Sequence, residues 1–93
     1  METVTIQIGN SDDKLGQADW VSLIKRTREA VGEYCGQVHF DGGSSFDSHW
    51  QNVCIVAEVS TLDKQRLKDE LRLVRQTWKQ DAIAVTFGKT VMV

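Results

Sequence analysis

Apolar residues in this chain recur at every second position in some segments and at helical spacing in others, and the order of these segments restricts the fold more than any other feature. The first segment, Thr3 to Ile8, alternates and is typical of a strand with one buried face. From about Gln17 to Tyr34 the spacing is helical, and Gly36 is placed to end that helix. The predicted buried stripe contains Val21, Ile24, Val31 and Cys35, with Trp20, Leu23 and Thr27 beside it.

The next two segments predict a β-hairpin with a long polar loop. Gln37 to Asp41 and Val53 to Val59 both alternate, and we expect Val38 and Phe40 to face inward. The sheet face away from the helices would also be partly apolar, because the third strand places on it Cys54, Val56 and Glu58.

A second helix follows, and it has the clearest helical spacing in the sequence. Ser60 or Thr61 can cap its first turn, and the pattern continues to about Gln80. Its predicted core-facing residues are Leu67, Leu71, Val74 and Trp78.

A fourth alternating segment, Ala82 to Phe87, completes the order strand, helix, strand, strand, helix, strand, and Gly88-Lys89 then turns or bulges the chain. In 93 residues this order favours an α+β domain of ferredoxin-like βαββαβ type, with both helices on one face of a four-stranded antiparallel sheet. The apolar ending Val91-Met92-Val93 can pair at a sheet edge with a second copy, so we expect a homodimer.

Composition and charge limit the function classes. With 41% hydrophobic and 26% charged residues the chain is expected to form a single domain over residues 1–93, and no apolar run is long enough to cross a membrane. We therefore expect a cytoplasmic protein. Residues 1–60 hold four Lys/Arg and nine Asp/Glu, net −5, whereas residues 61–93 hold seven and four, net +3.

The two cysteines of the chain, Cys35 and Cys54, lack metal-ligand spacing and are interpreted as reduced, buried thiols.

The polar segment between the second and third strands contains a symmetric arrangement. His39-Phe40-Asp41 is mirrored by Asp47-Ser48-His49, and a hairpin centred on Ser44 would place both pairs opposite each other. Two imidazoles and two carboxylates converging in this way could bind zinc or manganese, so weak candidate ligands are His39, Asp41, Asp47 and His49. A solvated loop and a metal-free ligand pocket are the other two interpretations of the same residues.

Catalysis without a metal has less support. Either histidine could act as a general base, with Ser44, Ser45 or Ser48 as the nucleophile, but serine after glycine is usually turn chemistry. Cys35 lies near a helix C-terminus, where the helix dipole opposes thiolate formation. We therefore predict a protein that is not an enzyme and needs no cofactor.

Basic residues of the second helix form a possible stripe, at steps of 4, 4, 3 and 4, made of Lys64, Lys68, Arg72, Arg75 and Lys79. Such a stripe could follow a phosphate backbone, although Asp63, Asp69 and Glu70 lie close enough to pair with it. RNA-recognition motifs stack bases on sheet aromatics, and the third strand offers none. The sequence therefore argues against a nucleic-acid partner.

Two further segments are candidate binding positions. Trp50-Gln51-Asn52 at the end of the hairpin loop could stack a ring or anchor an interface, or Trp50 could cover the sheet. The loop Gly9 to Asp13 lacks the lysine of a phosphate loop and is interpreted as a structural turn; in the alternative, Asn10 and Asp12 hold the hydroxyls of a ligand.

Three segments, Ile8 to Leu15, Trp50-Gln51-Asn52 and Gln80 to Ala84, resemble those of small proteins of actinobacteria and their phages. The resemblance implies a mobile-element setting, in which compact domains often inhibit host defence. It transfers no catalytic role to any residue.

These observations predict a binding protein that engages a host protein stoichiometrically through its hairpin loop and open sheet face, in the host cytoplasm if a phage encodes it. A first alternative is a sponge for a nucleotide-like ligand, with a pocket at a dimer interface. A second is a metal-dependent hydrolase. The predicted partner-binding or ligand-binding residues are Trp50, Asn52, His39, His49, Ser48, Asp41 and Asp47.

Overall fold

The computed structural model describes residues 2–10, 15–44, 51–80, 82–89, 91 and 93, and it confirms the ferredoxin-like βαββαβ order. Four strands form one antiparallel sheet in the order β2-β3-β1-β4, with two helices. The elements are β1 (Glu2–Gly9), α1 (Gln17–Tyr34), β2 (Cys35–Gly43), β3 (Asn52–Val59), α2 (Thr61–Thr77) and β4 (Ala84–Gly88).

Register fixes which residues face the helices. β1 pairs with β3 so that Ile6 lies opposite Ile55, and with β4 so that Ile6 lies opposite Val85. Because directly opposed residues of antiparallel strands point to the same side, these rows form the floor of the core. The other face, which we call the open face, carries the alternate residues, and its central row contains Val56, Thr5 and Thr86.

The core is built from the buried side of the sheet and one face of each helix. In α1 the buried residues are Trp20, Leu23, Ile24, Thr27, Ala30 and Val31. The inclusion of Val21 in the buried stripe was wrong, since its side chain is 43% exposed. The helical face is therefore rotated toward Trp20 and Thr27, and the Thr27 hydroxyl is satisfied by donating to the Leu23 carbonyl at 2.9 Å.

The end of α1 also differs from the prediction. The helix ends at Tyr34 and Cys35 already has extended backbone angles, so no loop separates α1 from β2. Gly36 belongs to β2 and does not end the helix. Among the described glycines none has a positive φ, so the left-handed termination expected at Gly36 is not used.

Both ends of α2 have defined caps. Ser60 caps the first turn, because its hydroxyl oxygen accepts from the Asp63 backbone N–H at 3.1 Å. At the other end Lys79 has φ 54°, and the Gln80 N–H donates to the Arg75 carbonyl at 2.9 Å, which is the hydrogen-bond pattern of a Schellman motif. The helix therefore ends at Thr77 rather than at about Gln80.

β2 departs most from expectation, because the pairing of β2 with β3 is irregular. The register shifts between Cys35 and Val38 and again between Val38 and Phe40. Phe40 consequently lies opposite Val56 on the open face and is 54% exposed, so its inward placement was wrong. Val38 lies opposite Ala57 on the helix side, as predicted, but on this edge strand it remains 44% exposed. The Phe40 ring lies over Gly42, where an added Cβ would be 2.8 Å from the ring.

Neither α1 nor α2 is long and apolar enough to cross a bilayer, and these are the helices in the part of the chain that the structure describes.

Candidate binding groove between the second helix and the last strand

The hairpin cluster predicted from the sequence is not formed in the predicted register. Asp41 lies opposite Ile55, not opposite Asp47, so the mirror arrangement centred on Ser44 was wrong. The register shift after Val38 places one extra residue in β2 and separates the two candidate ligands.

His39 and Asp41 lie on opposite sides of the sheet and have different partners. His39 Nε2 is 3.3 Å from Glu58 Oε1 on the open face. Asp41 accepts two hydrogen bonds from Arg28 of α1, at 2.8 and 2.9 Å, on the helix side. These bonds raise the pKa of the Arg28 guanidinium. The described part of the chain therefore does not bring His39 and Asp41 together at one site, and the metal site of the hydrolase alternative stays a prediction.

Four members of the predicted site, Asp47, Ser48, His49 and Trp50, lie outside the described residues, and so does Asp12. Asn52 begins β3, and its backbone N–H donates to the Ser44 hydroxyl at 2.9 Å. Across the described ranges, no group of three or more His, Cys, Asp or Glu side chains is close enough to hold a metal.

Asn10 has a structural role that accounts for all of its amide groups. Its side-chain Nδ2 donates to the Leu15 carbonyl at 3.0 Å and to Gln51 Oε1 at 3.1 Å, and its Oδ1 accepts from the Leu15 N–H at 3.1 Å. Gln51 in turn donates to Gln17 at 2.7 Å. Because Asn10 is only 1% exposed and these bonds satisfy it, the alternative in which it holds a ligand's hydroxyls was wrong.

The two cysteines are not bonded to each other and are only half buried, so the prediction of buried thiols was wrong. Burial raises the pKa of the Cys35 thiol, and the nearby carboxylate of Asp63 raises it further. Because the thiolate is the reactive form, Cys35 is a poor nucleophile, as the sequence indicated.

A concave site lies between α2 and β4. We call it the α2–β4 groove; its volume is roughly 320 Å³. Its residues are Lys68, Leu71, Arg72, Arg75, Ile83, Val85 and Phe87. The floor is apolar, because alternate residues of β4 point toward the helix layer and pack half-buried against the core.

α2 runs alongside β4 in the opposite direction, so its basic residues follow the whole strand. At one end the Lys64 ammonium lies 4.6 Å from the centre of the Phe87 ring. At the other end Arg75 donates to the Gln80 carbonyl at 3.4 Å, just before the chain enters β4. The helix rises about 16 Å from Lys64 to Arg75, and a strand rises about 14 Å from Ile83 to Phe87, so the two lengths match.

The groove concentrates positive charge. Lys68 has no acidic partner within the described chain, Arg72 makes only an exposed pair with Asp69 at 3.3 Å, and Arg75 bonds to a neutral carbonyl. Lys64 is partly neutralised by Glu2 at 3.0 Å. Exposed pairs of this kind are weak, so three cations remain available to an anion in the groove.

Lys79 does not belong to this surface. It follows the end of α2 and lines a different pocket, between the two helices, together with Leu15, Asp19, Thr77 and Trp78. The predicted stripe is therefore correct for Lys64, Lys68, Arg72 and Arg75, and its extension to Lys79 was wrong because the helix ends first.

The apolar half of the groove was not recognised as part of a site in the sequence. Ile83, Val85 and Phe87 were identified only as the inward face of a strand. The available signal was the row of basic residues beside the buried Leu67–Leu71–Val74 stripe, because it places cations next to the strand that the helix covers.

The chain matches no protein-family model, no curated protein and no solved structure at a significant level.

Proposed function

We propose that this domain is a non-enzymatic binding protein that holds an acidic segment of a partner protein in the α2–β4 groove. The observation that carries the proposal is the placement of Lys68, Arg72 and Arg75 above an apolar floor on an open surface. Cations over apolar surface favour a ligand that carries both carboxylates and hydrophobic atoms, and acidic peptide segments have that chemistry.

A protein partner fits these observations better than a nucleic acid. The basic residues form one row about 16 Å long rather than a wide positive face. The molecule as a whole has a net charge of −2, which opposes non-specific attraction to phosphate backbones. On the open face the described aromatic residue is Phe40, which covers its own Gly42 and offers a single ring for base stacking.

The predicted role as an inhibitor of a host defence protein is one setting in which such stoichiometric binding would operate, and it stays a prediction. The homodimer and the cytoplasmic location also stay predictions.

The nucleotide sponge is the second candidate function, favoured by the groove's volume of roughly 320 Å³, which lies in the range of small-molecule sites. The α2–β4 groove is open to solvent on one side, and this favours a peptide segment over a small nucleotide-like ligand.

A selection from a random peptide library tests the proposal without assuming any partner. The library is selected in parallel on the unmodified protein, on the double variant Lys68→Glu/Arg72→Glu, and on the control Lys25→Glu/Arg66→Glu. The control makes the same change in net charge on exposed residues of both helices outside the groove. Thermal melting of all three proteins verifies that each is folded.

We expect the unmodified protein and the control to enrich peptides that combine Asp or Glu with apolar residues, and we expect the groove variant to lose them. Binding of the enriched peptides should weaken as salt is raised. Enrichment without acidic residues, or equal enrichment by the groove variant, would contradict the proposal. Displacement of the peptides by a nucleoside triphosphate would favour the sponge, and displacement by a single-stranded oligonucleotide would favour nucleic-acid binding.

A further inference from the structure

We infer that the partner's acidic segment binds as a fifth β-strand along the outer edge of β4, an inference that rests on the proposed function of the α2–β4 groove. The inference specifies the conformation of the bound segment and the spacing of its acidic residues, neither of which the charge of the groove alone defines.

The first support is the position of β4 in the sheet. β4 is an edge strand, and within the described chain it pairs only with β1. Alternate residues of an edge strand direct their N–H and C=O groups away from the sheet, so an extended peptide can pair with them. The groove adjoins this edge, because Val85 and Phe87 contribute to its floor.

The second support is the agreement between two spacings. Lys68 and Arg72 are four residues apart on α2, a rise of about 6 Å, and alternate residues of a strand are about 6.8 Å apart. Because α2 runs alongside β4, acidic side chains at every second position of a fifth strand would meet successive cations. A helical or compact segment would not repeat its carboxylates along the groove in this way.

The third support concerns side-chain length. Side chains of a fifth strand that point toward the helix layer would lie beside Val85 and Phe87, below the cations. Glutamate can cover the apolar floor with its methylene groups and extend its carboxylate to a guanidinium, whereas the shorter aspartate does one or the other. The remaining side chains would lie beside Ala84 and Thr86 on the open face, which accepts small polar or β-branched residues. The expected pattern is glutamate at alternate positions.

The test uses the heptapeptide acetyl-Thr-Glu-Thr-Glu-Thr-Glu-Thr-amide, titrated into the ¹⁵N-labelled full chain. Two N-methylated forms are compared with it, one methylated on the three glutamates and one on three of the four threonines, those at the third, fifth and seventh positions of the peptide. In a strand, every second residue directs its N–H group to a given neighbouring strand. Only one of the two methylated forms should therefore lose hydrogen bonds to β4. A peptide with the same residues in blocks, Glu-Glu-Glu-Thr-Thr-Thr-Thr, controls for charge.

We expect the alternating peptide to shift the amide resonances of β4. One methylated form should bind about 10-fold more weakly and the other like the parent, since loss of a hydrogen bond or two corresponds to about one decade in Kd. The block peptide should also bind more weakly. Equal binding of both methylated forms would overturn strand addition, as would no binding of the parent at about 1 mM. The library selection does not assume an extended peptide, so it can still support the proposed function when strand addition fails.

Discussion

The replacement of Asn10 by alanine should destabilise the domain strongly, because its amide joins two parts of the chain that are distant in sequence. Asn10 accepts one hydrogen bond and donates two, to the backbone of Leu15 and to the side chain of Gln51. The Asn10 backbone N–H also donates to the Gln51 carbonyl at 2.8 Å, and this bond survives the substitution.

The magnitude follows from the hydrogen bonds that are lost. Asn10→Ala removes three of them, to the Leu15 N–H, to the Leu15 carbonyl and to Gln51 Oε1. A buried hydrogen bond contributes about 1 kcal/mol, so we expect a loss of about 3 kcal/mol. In a domain of this size that corresponds to a fall in Tm of roughly 15 °C.

The assay is urea denaturation followed by tryptophan fluorescence, with thermal melting by circular dichroism as a second probe. Asn52→Ala is the matched control, because Asn52 is the other asparagine, its side chain is exposed, and its backbone bonds to Ser44 remain. We expect this control to lose less than about 1 kcal/mol. If Asn10→Ala also loses less than about 1 kcal/mol, the assignment of Asn10 as a structural residue is refuted.

The isosteric variant Asn10→Asp adds a pH-dependent check. The carboxylate can still accept from the Leu15 N–H, but it would face the Leu15 carbonyl and Gln51 Oε1, which are both acceptors. This repulsion raises the pKa of the introduced carboxyl in the folded state above its unfolded value. The variant should therefore be closest to the unmodified protein at acidic pH and lose stability as pH rises through the folded pKa. A pH-independent difference would contradict this reasoning.

Three other substitutions test separate features of the fold. Leu71→Ala should cost about 2–5 kcal/mol in denaturant unfolding because Leu71 is buried; a loss below about 1 kcal/mol would mean that α2 faces another way. Lys79→Gly should raise stability by about 0.5–1 kcal/mol, measured by the same unfolding, since glycine adopts the positive φ without strain, and a loss would contradict the cap. Because the pKa of Cys35 is raised above its ordinary value of 9.0, the folded state retains a proton that the unfolded chain releases. The free energy of unfolding should fall as pH rises above that value, and it should fall less in Cys35→Ala. Equal dependence on pH in the two proteins would contradict the raised pKa of Cys35.

The order of the elements could be predicted from the sequence, because each amphipathic segment has one dominant period. The prediction of α1 over Gln17–Tyr34 is confirmed at both ends, and the ends of β1 and β3 lie within one residue of their predicted positions. β2 extends two residues beyond its predicted bounds at each end, and β4 begins two residues later and ends one residue later than predicted. α2 was predicted too long because the helical spacing of Trp78 continues past the last helical residue, Thr77.

Features that depend on how strands pair were not predictable in the same way. A palindromic arrangement of His39, Asp41, Asp47 and His49 suggested a register, but pairing is set by the burial of Val53, Ile55 and Ala57 and by irregularities in β2. Only the basic half of the groove could be predicted from the sequence, because the basic residues lie on one helix and can be recognised by their spacing. The apolar residues of its floor belong to a strand segment that becomes their neighbour only in the folded chain.

The irregular pairing of β2 has a consequence for changes in chain length. Between the pairs Val38–Ala57 and Phe40–Val56, β2 has one intervening residue and β3 has none, so His39 is the extra residue. Removing His39 would restore alternation from Val38 onward, leaving Val38 and Asp41 on the helix side and Phe40 on the open face. A single-residue deletion at this position should therefore be accommodated, whereas a deletion within β1, which pairs without irregularity on both sides, would reverse the faces of every residue beyond it.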